Sequence, residues 1–271
     1  MIRMALPLRN SRIRLSQGQI FWREVGQGPV LVFLHGSWSD SSQWISVIER
    51  LSEDYACFAV DLLGFGESER PQVHYSIEFE VECLAEFLET LNLRQVYLIG
   101  HSLGGWVAAS YALKYLDQVQ GVMLLSPEGI SAENLKQQGG WISWLGGRVP
   151  RVFKWLRSLL PVAKYLGQAE RLKGAIAYWE KMQQYGTTCQ LLFQRRQAEI
   201  QAELLAEKLE WLKVPVMILQ GGQDTAAAVS QSRAYADLIP EAKLHTISRG
   251  GHDLPQELPD EVAVCIREFV G

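Results

Sequence analysis

Val96-Tyr97-Leu98-Ile99-Gly100-His101-Ser102-Leu103-Gly104-Gly105-Trp106-Val107-Ala108-Ala109 is the stretch on which the reading of the whole chain turns. A short apolar run rich in β-formers ends at Gly100, and a helix-favouring run begins just past Ser102. The Gly-x-Ser-x-Gly between them reads as a strand-to-helix turn with the serine at its apex. Such a turn strains the serine backbone, and side chains two residues before and after would collide with it. Gly100 and Gly104 remove those side chains. A helix begun by Leu103 and Gly104 aims free N–H groups and a positive dipole end at the hydroxyl, where an oxyanion would form. A Gly-rich connection in a nucleotide-binding α/β fold would give the same local pattern, so the flanking chain must decide.

Toward the N-terminus, Ile13 to Leu15 and Gln19 to Val25 read as antiparallel strands joined at Gly18. Val30 to Leu34 is apolar on both faces, as a central parallel strand covered by helices must be. His35-Gly36-Ser37-Trp38 ends it, and Ser42 to Leu51 begins a helix. Tyr55 to Val60 is a further buried strand running into Asp61-Leu62-Leu63-Gly64-Phe65-Gly66-Glu67-Ser68, and Ile77 to Leu91 carries apolar residues at helical spacing. Toward the C-terminus, Val119 to Leu125 is a strand. Residues 130 to 210 then read as helices alone. Pro215 to Gln220 resumes the strand pattern, followed by a helix over Ala226 to Leu238, a strand over Ala242 to Ile247 and a helix over Asp260 to Phe269. This alternation predicts an α/β fold with a doubly wound, mostly parallel sheet.

The totals bound the function. A chain of 271 residues with 48% hydrophobic and 21% charged residues is an ordinary globular protein, long enough for one full core with an insertion. A net charge of −4 gives no general pull toward nucleic acid, and no nucleic-acid partner is expected. The cysteines at 57, 83, 189 and 265 form no C-x-x-C and no metal spacing, so reduced thiols are expected. Met1 to Arg14 lacks the apolar run of a signal peptide, and no apolar run of about 18 residues occurs, so a cytoplasmic location is expected.

The elbow in its strand–turn–helix context, with the order of elements around it, resembles the α/β-hydrolase superfamily. The resemblance covers roughly residues 20 to 128 and 211 to 271. It implies a core of about eight strands over 1–128 and 211–271, with a helical cap inserted over 129–210. It also implies the chemistry. A serine hydroxyl needs a base, and the base needs a third group to hold its tautomer. In this family the chain order is serine, acid, histidine, each just past a strand end. That order places the acid at Asp224 in Gln220-Gly221-Gly222-Gln223-Asp224 and the base at His252 in Ser248-Arg249-Gly250-Gly251-His252, with Ser102 as nucleophile. Glu128, just past the sixth strand, is the rival acid. The oxyanion donors would be the backbone N–H groups of Leu103 and Ser37, with Trp38 the adjacent possibility. By the same resemblance His35 shapes the oxyanion loop and Asp61 bonds to the backbone of its own loop. His101 reads as packing or a local hydrogen bond, and His74 and His245 as surface or strand residues.

A serine at the elbow excludes the family's dehalogenase and epoxide-hydrolase chemistry, which needs an aspartate. Esters, thioesters, lactones and some amides stay open, as do carbon–carbon cleavage beside a ketone and perhydrolysis. A receptor or scaffold that keeps the triad is the alternative outside enzymology. The leading expectation is a serine carboxylesterase with no metal or organic cofactor. Residues 141 to 173 add seven basic residues against one acid, a segment charge of 7 − 1 = +6. Arg151, Lys154 and Arg157 recur every three residues opposite Val152, Phe153, Leu156, Leu159 and Leu160. Such a helix either packs its apolar side over the site and solvates its charges, or makes peripheral contact with an anionic membrane surface. In both cases the aromatic and aliphatic weight of the segment favours a hydrophobic small-molecule ester as substrate.

Overall fold

The computed structural model describes residues 7–131 and 186–271. Eight strands form one sheet: β1 (Arg9–Arg14), β2 (Gln19–Val25), β3 (Val30–Leu34), β4 (Ala56–Val60), β5 (Val96–His101), β6 (Val119–Leu125), β7 (Val216–Gly221) and β8 (Lys243–Ile247). Their order is β1-β2-β4-β3-β5-β6-β7-β8. β1 and β2 are antiparallel, as are β2 and β4, and every later pairing is parallel. The expected mostly parallel sheet of about eight strands is therefore the observed one.

Period-two alternation along the central strands sends side chains into two cores. Val32, Leu34, Leu98, Val122 and Leu124 meet α2 (Ile77–Thr90) and α3 (Leu103–Lys114) through Val81, Leu84, Phe87, Trp106 and Tyr111. Leu31, Phe33, Ile99, Met123 and Leu125 meet α1 (Ile45–Leu51) and the closing helix (Pro259–Val270) through Val47, Ile48, Leu51, Val262 and Ile266. Both faces are covered, which is why these strands read as continuous apolar runs. The helix starts are fixed locally. Ser76 accepts from the Phe79 N–H at 3.0 Å, and Thr225 accepts from the Ala228 N–H at 3.2 Å at the head of Ala226–Leu238.

Several boundaries shift by a residue, and two departures are larger. The first strand begins at Arg9 rather than at Ile13. It is a sheet edge with little to bury, so its residues carry no apolar alternation, and the ladder to β2 sets its length. A short helix, Leu254–Glu257, precedes the closing one; four residues are too few for a helical period to register. In the stretch expected to be helical, the described residues form helices at Gly186–Phe193 and Gln197–Glu203 and a turn of 3-10 helix at Leu209–Trp211. The basic stripe Arg151, Lys154 and Arg157, with the rest of 132–185, lies outside the described residues. Among the described residues no helix is long and apolar enough to cross a membrane.

Candidate active site

Ser102 sits between β5 and α3 with φ 52° and ψ −112°, a left-handed conformation uncommon for a residue bearing a side chain. The surrounding backbone holds it there. Its N–H donates to Leu125 O at 2.9 Å, and its carbonyl accepts from Gly105 N at 3.0 Å and Glu128 N at 3.1 Å. The two elbow glycines are required, though not by collision with the serine itself. A Cβ on Gly100 would lie 2.3 Å from the Gly104 carbonyl oxygen, and one on Gly104 would lie 2.3 Å from that of Leu34. The turn is tight enough for helix, elbow and β3 to touch backbone to backbone.

β7 and β8 deliver the other two residues. Asp224 Oδ2 and His252 Nδ1 are 2.9 Å apart. Asp224 also accepts from the Thr225 N–H at 2.6 Å and from Gln220 Nε2 at 3.1 Å. Burial works against its charge, but these hydrogen bonds and the imidazole hold the carboxyl down to about 2. Burial likewise pulls His252 toward neutrality; the Asp224 bond and charge outweigh it and raise the imidazole above its ordinary value. Gln220 is itself fixed by Ser232, whose hydroxyl donates to Oε1 at 2.5 Å. Neither residue stood out in the sequence: Gln220 is a single polar residue in an apolar strand, and Ser232 is one of several polar residues on its helix.

Ser102 does not hydrogen-bond to His252. Its hydroxyl donates instead to Glu128 Oε1 at 3.3 Å. Glu128 is buried, and burial pushes its carboxyl above the usual range despite the nearby His252 and the serine hydroxyl. Its backbone is pinned on both sides. The N–H is spent on Ser102, and the carbonyl accepts from Tyr235 Oη at 2.6 Å. Glu128 Oε2 has no partner among the described residues.

The loop after β3 completes the edge. His35 Nδ1 donates to Gly36 O at 2.8 Å, and its Nε2 accepts from the Leu62 N–H at 3.2 Å. Thr188, on the helix Gly186–Phe193, donates its hydroxyl to Ser37 O, and Thr187 donates to Gly64 O at 2.8 Å. Trp38 stacks on Phe193 at 6.3 Å between ring centroids. Neither the Ser37 N–H nor the Leu103 N–H donates to another described residue. Asp61 accepts from Ser41 N and Glu67 N, both at 2.6 Å, so it serves loop structure. His74 faces Glu199 at 3.1 Å on the surface, and His245 is exposed on β8. Among the described residues no three His, Cys, Asp or Glu side chains cluster closely enough to hold a metal.

A strained serine at a helix N-terminus and an Asp–His pair on the following strand ends define a family. The sequence profile of the alpha/beta hydrolase fold matches residues 29–257, and the chain belongs to that family. An uncharacterized protein of Mycobacterium tuberculosis is 32% identical over 112 residues, 41% of this chain and 33% of that one. The chain thus matches about a third of that relative's length. The uncharacterized hydrolase YugF of Bacillus subtilis is 27% identical over 254 residues, 89% of each chain. Among solved structures, a membrane phospholipase A described as a bacterial virulence factor superposes with a TM-score of 0.72 at 26% identity, covering 97% of this chain and 86% of that one.

Proposed function

We propose that the chain is a cofactor-independent serine hydrolase that cleaves carboxylic esters of hydrophobic small molecules through an acyl-enzyme. The observation that carries this reading is the Asp224–His252 pair at 2.9 Å beside an elbow serine held in a strained conformation. Asp224 keeps the proton of His252 on Nδ1, which leaves Nε2 as the base. For attack, the Ser102 hydroxyl turns about its Cα–Cβ bond from Glu128 to His252 Nε2 and gives up its proton there. The serine oxygen adds to the ester carbonyl, and the N–H groups of Ser37 and Leu103 receive the oxyanion. His252 then returns the proton to the departing alkoxide, and a water repeats the sequence to release the acid.

The ester class rests on the aromatic and aliphatic residues of 141–173 and on likeness to a protein described as a phospholipase A. Fluorophosphonate labelling with nitrophenyl esters of graded chain length tests it. Ser102→Ala should lose label and lower turnover by about 10³-fold or more, with the fold intact. Near-wild-type turnover in that variant would remove the proposal.

A further inference from the structure

Gln43 is 1% exposed, yet both ends of its amide are in use. It comes from the 3-10 turn Ser41–Trp44, pinned by Asp40, which accepts the Ser42 N–H at 2.8 Å, and by the fully buried Trp44. Its Oε1 accepts from the Gly36 N–H at 3.1 Å, and its Nε2 lies 2.9 Å from His101 Nδ1. His101 Nε2 lies 2.9 Å from the carbonyl oxygen of His252.

The direction of every bond in this relay is forced. A backbone N–H only donates, so the glutamine oxygen must face Gly36 and its NH₂ must face His101. A backbone carbonyl only accepts, so the His101 proton must be on Nε2 and Nδ1 must be the acceptor. The donor–acceptor chain runs from Gly36 through Gln43 and from Gln43 through His101 to the backbone of His252. The close approach is built into the sequence: a Cβ on Gly36 would lie 2.7 Å from His101 Nδ1.

We propose that Gln43 is a positioning residue that sets the loop carrying His252 at a fixed distance from the loop carrying Ser37, acting through His101. The inference rests on the reading of His252 as base and Ser37 as oxyanion donor. Those two groups act on opposite sides of one tetrahedral carbon, and they stand on loops after β8 and β3 that are far apart in the sheet. Each loop has its own internal hydrogen bonds; the relay ties one to the other. Substrate-contacting surface is not part of it, so its loss should lower turnover and leave binding.

Gln43→Leu keeps the volume and removes both polar ends. For a short soluble nitrophenyl ester, kcat should fall about 10- to 100-fold with KM within about threefold, as an ångström-scale misplacement predicts. Gln43→Met keeps the length of the side chain and offers no N–H to His101 Nδ1, so the relay is cut at the imidazole and kcat should fall as well. Imidazole ¹⁵N NMR reads the wild-type tautomer directly: protonated on Nε2 alone. A wild-type His101 protonated on Nδ1 alone overturns the relay, whatever the variants do. A folded Gln43→Leu protein with kcat within twofold of wild type overturns the positioning role. So does Gln43→Met with wild-type kcat, should Gln43→Leu not fold. If the wild type neither hydrolyses esters nor labels at Ser102, the serine-hydrolase reading is what fails, and the positioning role falls with it; the tautomer then reports on the hydrogen bonds alone.

Discussion

Glu128 and Asp224 follow neighbouring strands, β6 and β7, at the same edge of one sheet, and they are held in opposite conditions. Asp224 receives hydrogen bonds from His252, Thr225 and Gln220, and its carboxyl is pulled down to about 2. Glu128 receives one, from Ser102, keeps an oxygen without a partner among the described residues, and is pushed up by burial. The acid that accepts from Ser102 is the less suited to hold a charge. The number of donors around a carboxylate, more than its place beside the serine, decides which acid can stabilise an imidazolium.

The largest test of that contrast is substitution of each acid by its amide. Asp224→Asn should lower kcat/KM by about 10³- to 10⁴-fold, since it presents the wrong hydrogen-bonding face to Nδ1. Glu128→Gln should cost less than about tenfold. The reverse ranking would move the acid function to the end of β6.

The pH profile sharpens the same comparison. His252 is raised above its ordinary value, so activity should fall, as pH drops, through a point above about 6.5. Removing the charge of Asp224 should move that limb to lower pH. Glu128→Gln should move it the same way by less, because Glu128 raises His252 through distance alone while Asp224 adds a hydrogen bond. Equal displacements would mean that both acids couple to the imidazole alike.

The smallest effects concern stability, and they have opposite signs. A carboxyl depressed in the folded state, as Asp224 is, contributes stability above its unfolded value that is lost as pH falls toward about 2. A carboxyl raised in the folded state binds its proton more tightly when folded, so Glu128 makes stability decline as pH rises from its unfolded value through the raised one. That slope is at most about 1.4 kcal/mol per pH unit. Glu80, buried and likewise raised, adds the same slope to both proteins, so urea unfolding across this range should show a steeper decline in the wild type than in Glu128→Gln.

Much of this was legible in the sequence, for identifiable reasons. Val30 to Leu34 and Val119 to Leu125 could be read as central strands because both their faces are buried. The contact between Asp224 and His252 could be anticipated because family chain order places both past particular strand ends. The hydroxyl of Ser102 turning to Glu128, by contrast, depends on how the chain after β6 folds back over the elbow. Gln43, Gln220 and Thr188 work through side-chain atoms brought together from distant segments. Each is a lone polar residue in its own neighbourhood, and no periodicity marks which carbonyl or imidazole it will meet.

The charged strand at the sheet's edge has a consequence for the molecule among its own copies. Along β1, Arg9, Arg12 and Arg14 pair with Glu24, Glu67 and Glu69, so its rim is lined with ionic groups. Behind it lies β2, whose Ile20, Phe21 and Trp22 are buried. Stripped of β1, that second strand would offer open backbone and apolar surface to any neighbour, the combination that seeds strand-by-strand growth between molecules. The six residues of β1 thus serve as a fender, and a chain clipped after Arg14 should reveal it by turbidity that rises with concentration.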